Sequence, residues 1–202
     1  MPLLPLIYTN PAAAGLFLVA CLIWLVPEAA GTRRQMGKVS RNADLLQDRG
    51  SYVMLVGLQW TGLGLNFLLA WWLPAAAIPW QRTGLFFLGL IIIILGVALR
   101  WYAIGVLGRY FTRDVVVSHD QPVIQHGPYR LIRHPAYSGT FLTMLGVGLV
   151  MTNWASLICL LVCVFLGHMY RVRIEEKALI RAIGQPYSEY MRHTKRFIPW
   201  VF

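Results

Sequence analysis

The chain has 202 residues, of which 57% are hydrophobic and only 13% are charged, and its mean hydropathy is +0.58. Soluble domains carry about 25% charged residues, so this chain cannot cover its apolar surface in water. The net charge of +10 does not indicate a nucleic-acid partner, because the charges lie between long apolar runs, as in membrane proteins. Composition therefore predicts an integral membrane protein whose first partner is the lipid bilayer.

Five apolar segments predict membrane-spanning helices, each of which needs about 20 mainly apolar residues. They are Pro11 to Val26 with an extension toward Ala30, Ser51 to Leu73, Thr83 to Ile104, Tyr137 to Met151, and Trp154 to Tyr170. The last two are short and adjacent, which predicts a tight helical hairpin. The first does not resemble a cleaved signal peptide, since its basic residues follow the apolar core. The predicted fold class is all-α integral membrane, one domain over 1–202 with a three-span part (1–104) and a second part (105–202).

Lysine and arginine residues are distributed unevenly among the connections between these segments. Residues 27–50, 100–136 and the stretch from 171 onward hold five, five and seven of them, whereas residues 74–83 hold only Arg82. The positive-inside rule assigns the basic side to the cytoplasm. Five spans then place the N-terminus outside and the C-terminus, with all eight acidic residues, in the cytoplasm.

Residues 105–136 are interrupted by turn signals. Asp114 to Val117 is short and β-branched, His126 to Tyr129 forms a turn signal, and His134 precedes a proline, which disfavours helix at that position. Backbone groups at such breaks need hydrogen-bond partners, which water or a ligand such as a nucleoside would provide. A simpler interpretation is a loop whose arginines bind lipid phosphates.

The stretch from Tyr170 to Ile183 predicts a helix that continues the fifth span into the cytoplasm and ends at Gly184. Arg171 and Glu175 are four residues apart and share a helix face. They form either a simple ion pair or a functional pair. Their position favours a function, because a charge at the membrane boundary costs free energy and is rare there without a functional role. The cysteines and histidines show no metal-ligand spacing, so no metal is predicted.

Two sequence blocks resemble a known family. Gly127-Pro-Tyr-Arg-Leu-Ile-Arg-His-Pro-Ala-Tyr-Ser-Gly139 resembles the GPYxxxRHPxYxG signature of the isoprenylcysteine carboxyl methyltransferases. Arg171 to Leu179, Gly184-x-x-Tyr187-x-x-Tyr190 and Arg196-Phe-Ile-Pro199 together resemble the C-terminal block of that family. The resemblance covers roughly residues 105–200, and the first two spans carry no signature.

The resemblance implies a membrane methyltransferase domain that uses S-adenosyl-L-methionine without a Rossmann fold, in a pocket that the cytoplasmic loop and the C-terminal helix close. Arg171 falls at the substrate-side catalytic arginine. For His134, the resemblance and its residue type leave open a cofactor contact, a general base or a structural role. The cofactor-binding residues it implies are Gln121, Pro122, Val123, Ile124, Tyr129, His134, Pro135, Ala136, Tyr137 and Glu175.

The expected activity is methyl transfer to the C-terminal carboxylate of a prenylated cysteine or a similar amphiphile, whose tail would enter sideways between helices. The alternatives are methylation of a small thiol or a phospholipid amine, an NADPH-dependent membrane reductase, and a non-catalytic protein that handles lipid or heme. The expected location is the plasma or inner membrane in a prokaryote, which the short chain favours, or the endoplasmic reticulum in a eukaryote, with the active site on the cytoplasmic side.

Overall fold

A computed structural model describes residues 4–36, 50–112 and 122–198. Its helices are α1 (Leu6–Thr9), α2 (Pro11–Met36), α3 (Ser51–Trp72), α4 (Arg82–Leu107), α5 (Pro135–Val150), α6 (Trp154–Ile183) and α7 (Gln185–His193). Within these ranges there is no β-strand, apart from two isolated bridges that join Ala77 to Asn153 and Ile132 to Lys195. The prediction of an all-α fold is confirmed.

Four helices are long and apolar enough to cross a membrane, namely α2, α3, α4 and α6. Helix α5 is apolar but has only 16 residues, a length of about 24 Å at 1.5 Å per residue, against a hydrocarbon core of about 30 Å. All five predicted apolar segments are therefore helical. Large apolar side chains on the four long helices are exposed, for example Leu18, Val53, Ile91 and Val162, as expected for surfaces that contact lipid tails.

Helix α4 packs along α5, and glycines on both helices allow the close approach. A Cβ atom on Gly96 would lie 2.5 Å from the Thr143 backbone nitrogen, and one on Gly146 would lie 2.5 Å from the Gly89 carbonyl oxygen. Helix α3 packs along α6 in a similar way, with Gly62 against Cys163. These two helix pairs build the main core, whose fully buried members include Phe86, Ile93, Met144 and Leu160.

The predicted hairpin between α5 and α6 is confirmed. Thr152 adopts a positive φ of 47°, and Asn153 caps α6 by accepting a hydrogen bond from the Ser156 backbone nitrogen. The Asn153 side-chain amide also donates to the Leu73 carbonyl oxygen at 2.9 Å. One asparagine therefore joins the hairpin to the end of α3.

Helix α6 continues well beyond its apolar part, as predicted. Gly184, with φ of 74°, ends it, and the chain then begins the short amphipathic helix α7 rather than leaving helical structure. The long α6 carries Arg171, Glu175 and Glu176 from the membrane-facing bundle to the polar end of the molecule. The predicted β-branched stretch Asp114 to Val117 lies outside the described residues.

Candidate active site

The segment Arg130 to Tyr137 changes from turn to helix where the sequence predicts it. A short 3₁₀ turn covers Gly127–Arg130, His134 takes a non-helical backbone conformation, and α5 begins at Pro135. The missing N–H of Pro135 costs nothing at this position, because the first turn of a helix leaves its N–H groups unbonded. This geometry directs both His134 and Tyr137 toward the polar end of the bundle.

The free backbone groups at this break are bonded by the chain's own C-terminal stretch. The backbone nitrogens of Arg133 and His134 donate to the carbonyl oxygens of Lys195 and Arg196, at 2.7 and 3.0 Å. The Ser138 hydroxyl donates to the Phe197 carbonyl oxygen at 2.7 Å. The expectation that water or a ligand satisfies these groups is therefore wrong for the two N–H groups, and the tail is fixed against the start of α5.

Glu176 holds this arrangement together from α6. Its carboxylate accepts hydrogen bonds from Arg133 Nε at 2.9 Å and from Arg196 Nη2 at 2.9 Å. Arg133 also donates to the carbonyl oxygens of Met191 and Thr194. His134 Nε2 lies 3.4 Å from the same carboxylate but without hydrogen-bond geometry to it. Glu176 is 3% exposed, so this is a buried ion cluster that joins helix, loop and tail.

Tyr137 connects the two charged residues that the sequence analysis paired. Its hydroxyl donates to Glu175 Oε2 at 2.8 Å and accepts from Arg171 Nε at 3.3 Å. Arg171 Nη1 also donates to the Ser51 hydroxyl at 2.7 Å. The Tyr137 hydroxyl thus bridges Arg171 and Glu175 through two hydrogen bonds. The spacing of the two charged residues along one helix did not predict this bridge.

Three tyrosines complete the polar end. The Tyr129 hydroxyl donates to the Ala103 carbonyl oxygen, and the Tyr190 hydroxyl donates to the Tyr129 carbonyl oxygen at 2.6 Å. Burial raises the pKa of Tyr129 and Tyr187 above the usual range for tyrosine. Burial also raises the pKa of Tyr190, to about 12. All three hydroxyls therefore stay protonated at neutral pH and remain hydrogen-bond donors.

A first cavity lies between the 122–137 segment, the end of α4, and α6 with α7. Two of the residues that the resemblance assigns to the cofactor are not found in the wall of this cavity. Gln121 lies outside the described residues, and Pro135 is buried but does not line the cavity. The others line it together with Arg171: Pro122, Val123, Ile124, Tyr129, His134, Ala136, Tyr137 and Glu175. The described wall encloses about 100 Å³. It includes Thr112 and Pro122, the residues directly before and after the undescribed stretch 113–121.

The sequence analysis missed part of this wall. Leu107 and Tyr110 come from the end of α4, and Leu179, Ile183, Tyr187 and Tyr190 from the tail helices. Tyr187 and Tyr190 belong to the C-terminal sequence block, so their position in that block was the available signal. The apolar members carry no distinguishing signal, because similar side chains occur throughout the spans.

A second cavity, of about 340 Å³, adjoins the first and extends between α2, α3 and α6. Its polar wall includes Glu28, Arg100 and His168, and its apolar wall includes Trp24 and Leu55. Arg100 pairs with Glu28 through two hydrogen bonds. His168 Nδ1 bonds the Val164 carbonyl oxygen at 2.8 Å. None of these residues was predicted, although a charge close to an apolar span is a recognised signal for function.

The two cavities share four wall residues, which are Phe111, Thr112, Tyr137 and Arg171. Arg171 is 3% exposed, and it lies at the boundary between the first cavity, whose wall includes Glu175, and the larger second cavity. This arrangement suits two ligands that meet at one arginine. The fold and site together define a helical integral membrane protein with a two-chambered site at one end.

Comparison with known proteins identifies the family that this site resembles. Residues 88–181 match the model of the isoprenylcysteine carboxyl methyltransferase family, so the resemblance predicted from the two sequence blocks is confirmed for this segment. Protein-S-isoprenylcysteine O-methyltransferase A of Arabidopsis thaliana is 33% identical over 115 residues, which are 56% of this chain and 58% of that protein. The Saccharomyces cerevisiae protein-S-isoprenylcysteine O-methyltransferase is 31% identical over 116 residues, or 48% of its length. The chain thus spans about half the length of these curated relatives.

A solved structure supports the fold over nearly the whole chain. The structure of a eukaryotic intramembrane Ras methyltransferase, an isoprenylcysteine carboxyl methyltransferase, superposes with a TM-score of 0.64 and 24% sequence identity. The superposition covers 97% of this chain and 70% of that one. At this identity the likeness concerns the fold, and it includes the N-terminal helices that the family match leaves out.

Proposed function

We propose that this protein transfers a methyl group from S-adenosyl-L-methionine to the carboxylate of a prenylated cysteine or a similar amphiphile. The observation that carries the proposal is the position of Arg171 at the boundary between the two cavities. The first cavity would hold the methyl donor and the second the acceptor. The relatives, which are protein-S-isoprenylcysteine O-methyltransferases, support this activity over a thiol or phospholipid-amine methyltransferase, an NADPH-dependent reductase or a non-catalytic lipid- or heme-handling protein.

The chemistry of the first cavity fits the cofactor. Apolar side chains such as Ile124, Leu179 and Ile183 form a surface for a flat base, and Glu175 offers a carboxylate for hydroxyl or amino donors. His134 lies on the same wall, with its ring stacked against that of Tyr137, where it could contact a bound ligand. We assign the cofactor contacts to Tyr129, His134, Ala136, Tyr137, Glu175 and the stretch 121–124. Pro135 contributes by starting α5.

The second cavity fits an acceptor with a charged end and an apolar tail. Its volume of about 340 Å³ lies in the range of small-molecule pockets, about 300–1,000 Å³. Arg171 can hold a carboxylate through two parallel N–H groups, while Trp24, Leu25 and Leu55 offer apolar contact to a prenyl chain. Glu28 and Arg100 pair with each other in this wall, and Arg171 is the cation that we expect to contact the acceptor carboxylate.

The proposed reaction requires positioning more than proton transfer. S-adenosyl-L-methionine supplies a methyl group on a positively charged sulfur when it is bound. The acceptor carboxylate is already ionised at neutral pH, so no general base is needed, and His134 is assigned a binding role. Arg171 would orient one carboxylate oxygen toward the donor cavity. A bound acceptor would displace water around the buried Arg171, which would strengthen the attraction between Arg171 and the carboxylate and favour close approach of the reactants.

We place the site on the cytoplasmic side of the membrane. The support is the positive-inside rule, because Arg133, Arg171 and Arg196 belong to the strongly basic end of the chain. That membrane would be the plasma or inner membrane in a prokaryote and the endoplasmic reticulum in a eukaryote. The domain over 1–202 then has a three-span part up to residue 104 and a part from residue 105 that carries the cofactor contacts.

The proposal is tested by methyl transfer from labelled S-adenosyl-L-methionine to a panel of prenylcysteines, phospholipids and small thiols. We expect transfer to the prenylcysteines, and we expect Arg171→Ala to abolish it while the affinity for S-adenosylhomocysteine stays nearly unchanged. The matched control is Arg173→Ala, since Arg173 lies on the same helix but is exposed. Transfer only to thiols or phospholipids, or binding of NADPH instead of S-adenosylhomocysteine, would overturn the proposal.

A further inference from the structure

Arg171 donates hydrogen bonds to the hydroxyl groups of Tyr137 and Ser51, and of these two residues only Tyr137 belongs to the sequence blocks that resemble the family. Tyr137 accepts from Arg171 Nε at 3.3 Å, and Ser51 accepts from Arg171 Nη1 at 2.7 Å. Ser51 is the first residue of α3 and is completely buried. We propose that Ser51 is a positioning residue, which fixes the Arg171 guanidinium for the acceptor carboxylate. This inference rests on the proposed function.

The physical need for such a residue follows from the arginine side chain. A free arginine side chain carries about 2 kcal/mol of rotamer entropy, and a guanidinium holds a carboxylate well only when its planar fork is correctly oriented. Hydrogen bonds at two different nitrogens, Nε and Nη1, fix the plane of the guanidinium. Tyr137 contacts Nε, and Ser51 contacts Nη1 at the far end of the guanidinium. The bond to Ser51 therefore restrains rotation of the guanidinium and the directions in which its N–H groups point.

The position of Ser51 favours this role over a role in helix packing. Helices α3 and α6 already contact each other through close apolar packing, for example Gly62 against Cys163 and Gly167 against Leu55. The bond between Ser51 and Arg171 lies at the end of this interface, where the next residue, Tyr52, lines the same acceptor cavity as Arg171. The hydroxyl therefore lies where the orientation of Arg171 matters for the acceptor.

The test compares two acceptor analogues bound to the full-length protein in the presence of S-adenosylhomocysteine. One is an N-acetylated S-prenylcysteine with its carboxylate, and the other is its carboxamide, which gives Arg171 no carboxylate to hold. We expect Ser51→Ala to weaken carboxylate binding about ten-fold, as for the loss of one buried hydrogen bond. Carboxamide binding and the affinity for S-adenosylhomocysteine should change less than about two-fold on the same scale.

Two further variants separate positioning from general destabilisation. Ser51→Thr keeps the hydroxyl and should restore carboxylate binding. Ser156→Ala is the matched control, because Ser156 is a completely buried serine whose hydroxyl bonds only within the α5–α6 hairpin, to the Asn153 carbonyl oxygen. It should leave both acceptor affinities unchanged. Ser51→Cys, with a weaker hydrogen-bonding group, provides the same comparison if Ser51→Ala does not fold.

The outcomes distinguish this inference from the proposed function. Equal weakening of the carboxylate and the carboxamide, or no weakening of either, would overturn the role of Ser51 even if the wild-type protein methylates the acceptor. A wild-type protein that binds the carboxylate but transfers no methyl group would overturn the proposed function. A selective loss of carboxylate binding in Ser51→Ala would still support the positioning role in that case, since the binding measurement does not depend on turnover.

Discussion

Glu175 and Glu176 are neighbours in sequence but have different surroundings. Glu176 is 3% exposed and accepts hydrogen bonds from Arg133 and Arg196, so its negative charge is paired with arginines of the protein itself. Glu175 bonds one tyrosine hydroxyl and lines the first cavity, where its carboxylate has room for further donors. Successive residues on a helix point about 100° apart, which allows one glutamate to stabilise the tail while the other faces the first cavity.

Glu175→Gln should weaken binding of the cofactor without unfolding the protein. A hydrogen bond to a charged group contributes about 1.5–3 kcal/mol, so the dissociation constant for S-adenosylhomocysteine should rise at least ten-fold by calorimetry. Glu189→Gln, at an exposed position of α7, removes the same charge away from the cavity and serves as the control. Unchanged affinity in Glu175→Gln would show that this carboxylate does not contact the cofactor.

Glu176→Gln should act mainly on stability. Removal of one partner from a buried ion cluster costs about 3–5 kcal/mol, because Arg133 and Arg196 lose the charge that offsets their own. We expect a clear fall in the thermal midpoint in detergent, together with faster proteolysis after residue 190 as the tail detaches. A variant with wild-type stability whose only defect is cofactor affinity would contradict the division of roles between the two glutamates.

At the scale of helices, the approach of α4 to α5 determines the shape of the site. Arg100 of α4 reaches across to the Ala136 carbonyl oxygen and the Thr140 hydroxyl of α5, and a Cβ atom on Gly139 would lie 2.6 Å from the Arg100 backbone nitrogen. The two backbones are therefore in contact, with no space for a methyl group. Since α5 begins with Pro135 and carries Tyr137, the helix separation also sets the position of the tyrosine bridge.

Gly96→Ala should destabilise the protein, since the new methyl group would meet the Thr143 backbone nitrogen at 2.5 Å. Overpacking of this kind costs about 1–3 kcal/mol, which would appear as a lower thermal midpoint. Gly105→Ala is the matched control on the same helix, because a Cβ atom there meets nothing within 4 Å. Alanine also has the better helix propensity, so the control should be neutral or slightly stabilising, and equal losses in both variants would argue against close packing at Gly96.

The helices could be predicted from sequence because each depends on a local apolar run. All five apolar segments became helices, and Gly184 ends α6 as its backbone freedom suggests. The pairing of Arg133 and His134 with Lys195 and Arg196 could not be predicted, since it joins backbone groups about sixty residues apart and backbone hydrogen bonds carry no side-chain signal. Ser51 was equally inaccessible, because a serine at the start of a helix is ordinarily explained as a local capping residue.

At the scale of the whole molecule, the two cavities draw on different parts of the chain. The first cavity is built almost entirely from residues after position 106, most of which lie in or near the segment that matches the family, 88–181. The second takes Trp24, Glu28, Tyr52 and Gln59 from α2 and α3, which lie outside that segment. If the proposed function holds, the donor side follows the family, and selection of the acceptor depends on helices that only the structural comparison covers.

The orientation of the molecule in its membrane decides whether a cytoplasmic acceptor reaches Arg171. Ala75, in the exposed loop after α3, and Lys177, exposed on the polar part of α6, should lie on opposite sides, because the basic residues accumulate at the end that carries Lys177. With Cys21, Cys159 and Cys163 replaced by alanine, Ala75→Cys should react with a membrane-impermeant maleimide in intact cells. Lys177→Cys should react only after permeabilisation. The reverse pattern would place Arg171 and both cavities on the outer side, where a cytoplasmic prenylated protein cannot be the acceptor.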